Sequence, residues 1–201
     1  MIAIIDYDAG NMKSVVKAFL RLGQDITVTR DEAILKRADK IILPGVGAFG
    51  DAMGRLHGYG LVDVIRDIIK EGKPFLGICL GLQLLYEKSE ESPGVDGIGI
   101  LEGTIKKIPK GQFRKIPHMG WNSLSLSGKG RLFSGIGPDP YVYFVHSYYL
   151  EAKDRSTVVA TTDYNVSIDA SVECDNVFAC QFHPEKSGSV GLGILENFIR
   201  L

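Results

Sequence analysis

Gly77-Ile78-Cys79-Leu80-Gly81 sets a cysteine between two glycines, where a short apolar run gives way to a helical pattern. This is the sulfur counterpart of the G-x-S-x-G turn that lifts a nucleophile from the end of a strand. The spacing has a chemical reason. A sharp turn holds the nucleophile in a strained conformation, and glycines two residues to either side let strand and helix approach closely. The same turn puts Cys79 at a helix N-terminus, where peptide dipoles favour thiolate over thiol. It leaves the Leu80 N–H to meet an oxyanion forming on a substrate carbonyl. Taken alone, the five residues also read as a buried structural cysteine. The other cysteines carry less chemistry: Cys180 lies in the apolar run 177–182 and reads as core, and Cys174 sits in a turn beside Asp175 and Asn176 with no base near it.

A base for Cys79 is available in Gln181-Phe182-His183-Pro184-Glu185-Lys186. In an extended segment, residues two apart project to one side, so His183 and Glu185 are expected to stand side by side. Pro184 stiffens the backbone between them. The carboxylate keeps one imidazole nitrogen protonated and leaves the other to deprotonate Cys79, a triad in the order Cys, His, Glu. A lone His-Pro-Glu reads as a surface loop; beside a cysteine elbow the catalytic reading is the better one.

Pro44-Gly45-Val46-Gly47-Ala48-Phe49-Gly50 contains G-x-G-x-x-G after an expected strand, the form of a dinucleotide fingerprint. Two features oppose that use. The fingerprint belongs to the first strand–helix turn, which here is Asp6-Tyr7-Asp8-Ala9-Gly10-Asn11, and the acidic residue at the ribose distance, Asp67, falls mid-helix. The preferred reading is an oxyanion strand, whose glycines let an N–H turn toward developing negative charge. A plain glycine turn remains open on spacing alone.

Elements able to position these groups follow from the pattern. Residues 2–6 form a continuous apolar run, as in a strand covered on both faces. A helix is expected from Asn11, as N-cap, to Leu22, then strands at 25–29 and 40–43. Between Gly60 and Glu71, apolar residues at 61, 64, 65, 68 and 69 make a one-sided helical stripe. Residues 74–79 are the next buried strand, and 80–87 begin another helix. Residues 88–130 are rich in Gly, Ser, Lys and Pro; strand-like runs follow at 141–150, 157–162, 166–173 and 177–182, then a helix over about 190–200. The expectation is α/β: one domain over residues 1–201, with a mainly parallel central sheet flanked by helices and an added antiparallel portion.

The 23 basic and 24 acidic residues nearly cancel, so no basic field draws nucleic acid or anionic lipid. The apolar N-terminal run is too short for a signal peptide or membrane span. Three cysteines make no disulfide framework, and the histidines at 57, 118, 146 and 183 have no metal-site spacing. The expectation is a cytoplasmic protein with no metal and no cofactor.

The elbow continued through Leu82-Gln83, together with Gln181-Phe182-His183-Pro184-Glu185, resembles the class I (triad) glutamine amidotransferases. That resemblance implies a flavodoxin-like domain hydrolysing glutamine to glutamate and ammonia. Further stretches are similar to one branch of that family, the glutaminase subunits of imidazole glycerol phosphate synthases. They are Ile4-Ile5-Asp6-Tyr7 with Ala9-Gly10-Asn11, Leu43-Pro44-Gly45-Val46-Gly47-Ala48-Phe49-Gly50, Pro117-His118-Met119-Gly120-Trp121-Asn122 and Tyr143-Phe144-Val145-His146-Ser147-Tyr148. The likeness runs end to end, with Asp8 where the family often has glycine. It implies Cys79, His183 and Glu185 as triad and Val46 and Leu80 as oxyanion N–H donors. It implies Gly45, Gly47, Gln83, Glu91, His146, Ser147 and Tyr148 around L-glutamine. Met119, Trp121, Asn122, Tyr143 and Lys186 would face a (β/α)8-barrel cyclase, forming a heterodimer that channels ammonia for histidine biosynthesis. By residue type alone, Trp121 serves equally as core anchor or interface residue, Tyr143 as core and Lys186 as a solvated charge. Two rivals share the residues: a glutaminase feeding another synthase, and a flavodoxin-like redox sensor using Cys79 as an oxidisable thiol.

Overall fold

The computed structural model describes residues 1–9, 12–111 and 114–201. The first half winds strand and helix alternately. Its elements are β1 (Ile2–Ile5), α1 (Met12–Arg21), β2 (Ile26–Thr29), α2 (Glu32–Arg37), β3 (Lys40–Gly45), α3 (Phe49–Gly58), α4 (Leu61–Lys70), β4 (Phe75–Cys79) and α5 (Leu80–Leu84). The second half is mostly strand: β5 (Lys88–Ser89), β6 (Gly103–Lys107), β7 (His118–Ser123), β8 (Ser125–Leu126), β9 (Tyr141–His146), β10 (Tyr148–Ala152), β11 (Val158–Tyr164), β12 (Val166–Cys174) and β13 (Val177–Cys180). The last helix, α6, spans Gly188–Arg200.

The central sheet runs β2-β1-β3-β4-β13-β12-β10-β6-β5, with β11 and β8 attached through β12. From β2 to β13 every pairing is parallel. Beyond β13 it turns antiparallel through β12, β10 and β6. The expected α/β class with an antiparallel addition is what the chain adopts.

Alternation along the parallel strands explains the two layers of helices. Ala3, Ile5, Ile41 and Leu43 pack on one face with α2, α3 and α4, whose stripe buries Leu61, Val64, Ile65 and Ile68. Ile2, Ile4, Ile42, Leu76 and Ile78 pack on the other with α1 and α6. Parallel strands covered on both faces must be apolar throughout, and all of β1 is buried.

Several expectations change. The run 141–150 is two strands: β9 pairs with β7 in a separate ribbon, whereas β10 belongs to the central sheet. The helix expected over 80–87 ends at Leu84, because the chain must turn to begin β5. Two helices, α2 and α3, lie where the pattern predicts none. The N-cap expected at Asn11 lies outside the described residues.

Candidate active site

Parallel α/β sheets collect ligands beyond the carboxyl ends of their strands. Here β3 and β4 end side by side, with Gly45 and Cys79 paired in register. Cys79 sits between β4 and α5 at φ 54°, ψ −107°, a left-handed conformation that costs a residue bearing a Cβ about 1–3 kcal/mol. The elbow expected from the glycines is therefore present. Gly81 is required by contact as well as flexibility: a Cβ there would lie 1.8 Å from the Leu43 carbonyl oxygen of β3. The helix behind the elbow is only five residues long, so what it offers the sulfur is its free first-turn N–H groups rather than a long dipole.

His183 and Glu185 come together as expected but by another local geometry. The segment is not extended: His183 caps a 3-10 turn, Pro184–Lys186, which brings Glu185 back to the edge of the ring. Nδ1 of His183 lies 2.8 Å from Oε1 of Glu185. Both side chains are nearly closed to solvent, at 3% and 2% exposure. The backbone is held from both sides. The His183 N–H donates to Tyr143 O at 2.9 Å, and the Ser187 hydroxyl donates to His183 O at 2.6 Å while accepting from Tyr143 N at 3.0 Å. Ser187 carried no signal in the sequence.

Burial alone would drive His183 neutral, but contacts and charge from Cys79 and Glu185 outweigh it and push the ring up to about 10. Nε2 makes no aligned hydrogen bond, yet Cys79 lies near enough for its sulfur to draw a proton onto the ring. The arrangement places a carboxylate-held imidazole beside the sulfur, the geometry that activates a cysteine nucleophile.

Cys79, Leu80 and His183 line a cleft of about 350 Å³, together with Val46, Gly47, Gln83, Glu91, His146, Ser147 and Tyr148. Of the residues expected around a substrate, only Gly45 is not in the wall; it lies in β3 as the register partner of Cys79. Gly47 sits at φ 104°, a value open to glycine, next to half-exposed Val46. Pro44, ahead of them, is anchored by Tyr7, whose buried hydroxyl donates to its carbonyl at 2.8 Å. Glu91 accepts from the Phe49 N–H at 2.8 Å, fixing the exit of the glycine strand into α3. Larger depressions elsewhere, of about 630 and 850 Å³, have no cysteine or histidine in their walls among the described residues.

The expected partner-facing residues gather on the β7–β9 ribbon and beside it. Met119 and Trp121 are exposed at 61% and 56%, far too open for core residues. Trp121 stands edge-on to Tyr143 at 6.1 Å, and the Lys186 ammonium lies 5.9 Å from the Tyr143 ring. Asn122 is different: its amide turns inward to His118 and to the Asp163 carbonyl. Among the described residues, no group of three His, Cys, Asp or Glu could hold a metal, and no helix is long and apolar enough to cross a membrane.

Residues 3–201 match the family model described as glutamine amidotransferase class-I. The chain is 52% identical, over all of its length and 98% of the relative's, to a protein of Methanothermobacter thermautotrophicus named imidazole glycerol phosphate synthase subunit HisH. To the protein of the same name from Aquifex aeolicus it is 50% identical, over 98% of this chain and 95% of the other. A solved glutamine amidotransferase superposes with TM-score 0.76 at 20% identity, covering 98% of this chain and 99% of that one. A chain of the solved PurLQS from Thermotoga maritima gives 0.74 at 22%, covering 99% and 97%. At such identities the superpositions speak for the fold alone.

Proposed function

The chain belongs to the class I glutamine amidotransferase family, and from that premise we propose that it is the glutaminase subunit of an imidazole glycerol phosphate synthase. It hydrolyses L-glutamine to L-glutamate and ammonia through a Cys79 thioester. Its partner is a (β/α)8-barrel cyclase, which takes the ammonia to make imidazole glycerol phosphate and an aminoimidazole carboxamide ribotide. One observation carries the reading. A cysteine elbow shares a cleft with His183, which Glu185 holds from behind, in a chain about half identical, end to end, to proteins named as that subunit.

The chemistry follows from the geometry. The Cys79 thiolate adds to the side-chain amide carbon of glutamine, and the N–H groups of Leu80 and Val46 receive the oxyanion. Imidazolium His183 gives its Nε2 proton to the departing nitrogen, the C–N bond breaks, and ammonia leaves a thioester behind. Sulfur is now uncharged, so one cause of the raised His183 affinity for protons disappears while burial persists. The ring is thereby pulled toward the neutral form just when it must take a proton from water. The resulting hydroxide adds to the thioester, the C–S bond breaks, and thiolate and imidazolium are restored as glutamate forms.

Gly45, Gly47, Gln83, Glu91 and the 146–148 segment hold the substrate, and Met119, Trp121, Asn122, Tyr143 and Lys186 meet the cyclase. Ammonia free in neutral water becomes mainly ammonium, which is no nucleophile, so a docked face serves the chemistry. The test is Cys79→Ala in the complex: glutamine-dependent synthesis should vanish while ammonia-dependent synthesis continues. Loss of both would make Cys79 a structural residue.

A further inference from the structure

We propose that Gln181 is a catalytic residue, holding a side-chain N–H on the Cys79 sulfur in an orientation dictated by the backbone carbonyl of Tyr148. The inference rests on Cys79 being the nucleophile.

A carbonyl oxygen only accepts hydrogen bonds. The Tyr148 oxygen has two side-chain neighbours, His146 Nδ1 at 2.8 Å and Gln83 Nε2 at 3.1 Å. Gln83 must therefore turn its NH2 toward Tyr148. The same nitrogen lies 3.0 Å from the Gln181 side-chain oxygen, so both of its hydrogens are used. Gln181 thus presents oxygen to Gln83, and its own NH2 falls 3.7 Å from Cys79 Sγ. Reversing Gln181 would set two NH2 groups face to face and aim an oxygen at the sulfur. Reversing Gln83 would press its oxygen against the Tyr148 carbonyl.

The other branch is determined in the same way. His146, with its proton on Nδ1, offers a bare Nε2 that accepts from His118 Nδ1 at 2.9 Å. His118 Nε2 accepts from Asn122 Nδ2 at 3.4 Å, and the same amide donates to the Asp163 carbonyl at 3.1 Å. Burial pushes His118 down to about 3 and His146 down to about 4. Above those values both rings are neutral, each with one donor and one acceptor as the pattern requires. His118 is clamped between Phe144 and Tyr164, with ring centroids at 4.5 and 3.9 Å. A backbone carbonyl at each end, Tyr148 and Asp163, leaves this branch a single polarity.

Gln181 is fully buried, so water does not compete for its N–H. A donor of this kind discriminates between forms of the nucleophile: it bonds more strongly to thiolate than to thiol or thioester. Gln181 does not line the cleft, so its influence falls on sulfur rather than on substrate binding.

The experiment is alkylation of the folded chain by iodoacetamide, followed at each cysteine by peptide mass spectrometry across pH, for the parent, Gln181→Met and Gln181→Glu. Gln181→Met keeps the bulk and removes the donor. Cys79 should then alkylate about fivefold more slowly at neutral pH, a change equivalent to about 1 kcal/mol, with its profile moved to higher pH. Gln181→Glu, which keeps the acceptor for Gln83 and sets carboxylate oxygen against thiolate, should be slower still. Cys174 should be unchanged in both, and glutamine turnover with the cyclase should lose kcat with little change in KM. Parent-like Cys79 rates in a folded variant overturn the inference; if only Gln181→Glu folds, its rate decides. A parent Cys79 no more reactive than Cys174 overturns the nucleophile reading on which it stands.

Discussion

Replacing Glu185 by glutamine removes one charge and almost no volume from the most buried part of the site. In the parent, Oε1 of Glu185 lies 2.8 Å from His183 Nδ1, both side chains being nearly closed to solvent. A hydrogen bond with a charged partner is worth about 1.5–3 kcal/mol and a neutral one about 0.5–1.5. The substitution therefore costs the imidazolium roughly 1–1.5 kcal/mol, or about tenfold in its population. A second effect works through tautomers. An amide can turn its NH2 to Nδ1 and hold the ring with its proton on Nε2, where it cannot deprotonate Cys79; triads altered in this way lose up to about 10⁴ in kcat. Turnover of glutamine in the complex should accordingly fall between about 10-fold and 10⁴-fold.

The pH behaviour of stability has a definite sign. His183 holds its proton more tightly in the folded chain than its ordinary 6.5, up to about 10, because Cys79 and Glu185 outweigh burial. Stability from that proton is fully present below the ordinary value and is lost as pH rises through the folded one. With Glu185 uncharged, one raising cause is gone and burial persists, so the folded value drops. The parent's advantage in melting temperature should be greatest at and below neutral pH and should shrink toward pH 10. Steady-state glutamate release, histidine NMR titration and melting curves across pH measure the three effects. Parent-like turnover, with His183 titrating where it does in the parent, would refute the role given to Glu185.

Gly81→Ala should abolish glutaminase activity and lower the melting temperature, because its Cβ meets backbone oxygen of β3 at 1.8 Å and the elbow must open; overpacking of this kind costs about 1–3 kcal/mol. A folded, active Gly81→Ala would mean that elbow and strand are not rigidly apposed. Trp121→Ala should leave the chain's own stability within about 0.5 kcal/mol, since the ring is 56% exposed, but weaken cyclase binding by about 2 kcal/mol or more. Calorimetric titration decides, and unchanged affinity would remove Trp121 from the docking face.

What residues alone reveal, they reveal through spacing. Continuous apolar runs expose the buried strands, a 3.6-residue stripe exposes α4, and the glycines at 77 and 81 announce the elbow because close approach leaves no room for a side chain. The helices that escape such reading have weak local signals. α3 carries Gly50, Gly54 and Gly58, each costing helix propensity, and is held by the burial of Phe49, Ala52, Met53 and Leu56. α2 is six residues long, held by its Asp31 cap and the single buried Leu35. The break of the run 141–150 has no signal, since consecutive apolar residues say nothing of which sheet they join. The site shows the same division. Cys79, His183 and Glu185 stand out by type and spacing, whereas Gln181, His118 and Ser187 act through partners distant in sequence. Gln181 lies inside a motif that is visible in the sequence, but its bond to Cys79 spans 102 positions.

The division of that run at Ser147 has an evolutionary consequence. The ribbon has two sides of different exposure. His118, Val142, Phe144 and His146 face inward and are buried, while Met119, Trp121 and Tyr141 lie open. Both sides reach the site: His146 of the inner side and Val145, register partner of Met119 on the outer, line the cleft, and the Tyr143 carbonyl accepts the His183 N–H. A lineage could therefore exchange the open tips at Met119, Trp121 and Tyr141, but not Val145 or the backbone at Tyr143, without disturbing the cleft. On the proposed docking, the ribbon is shared between companion and chemistry, and only the outermost side chains are free to drift.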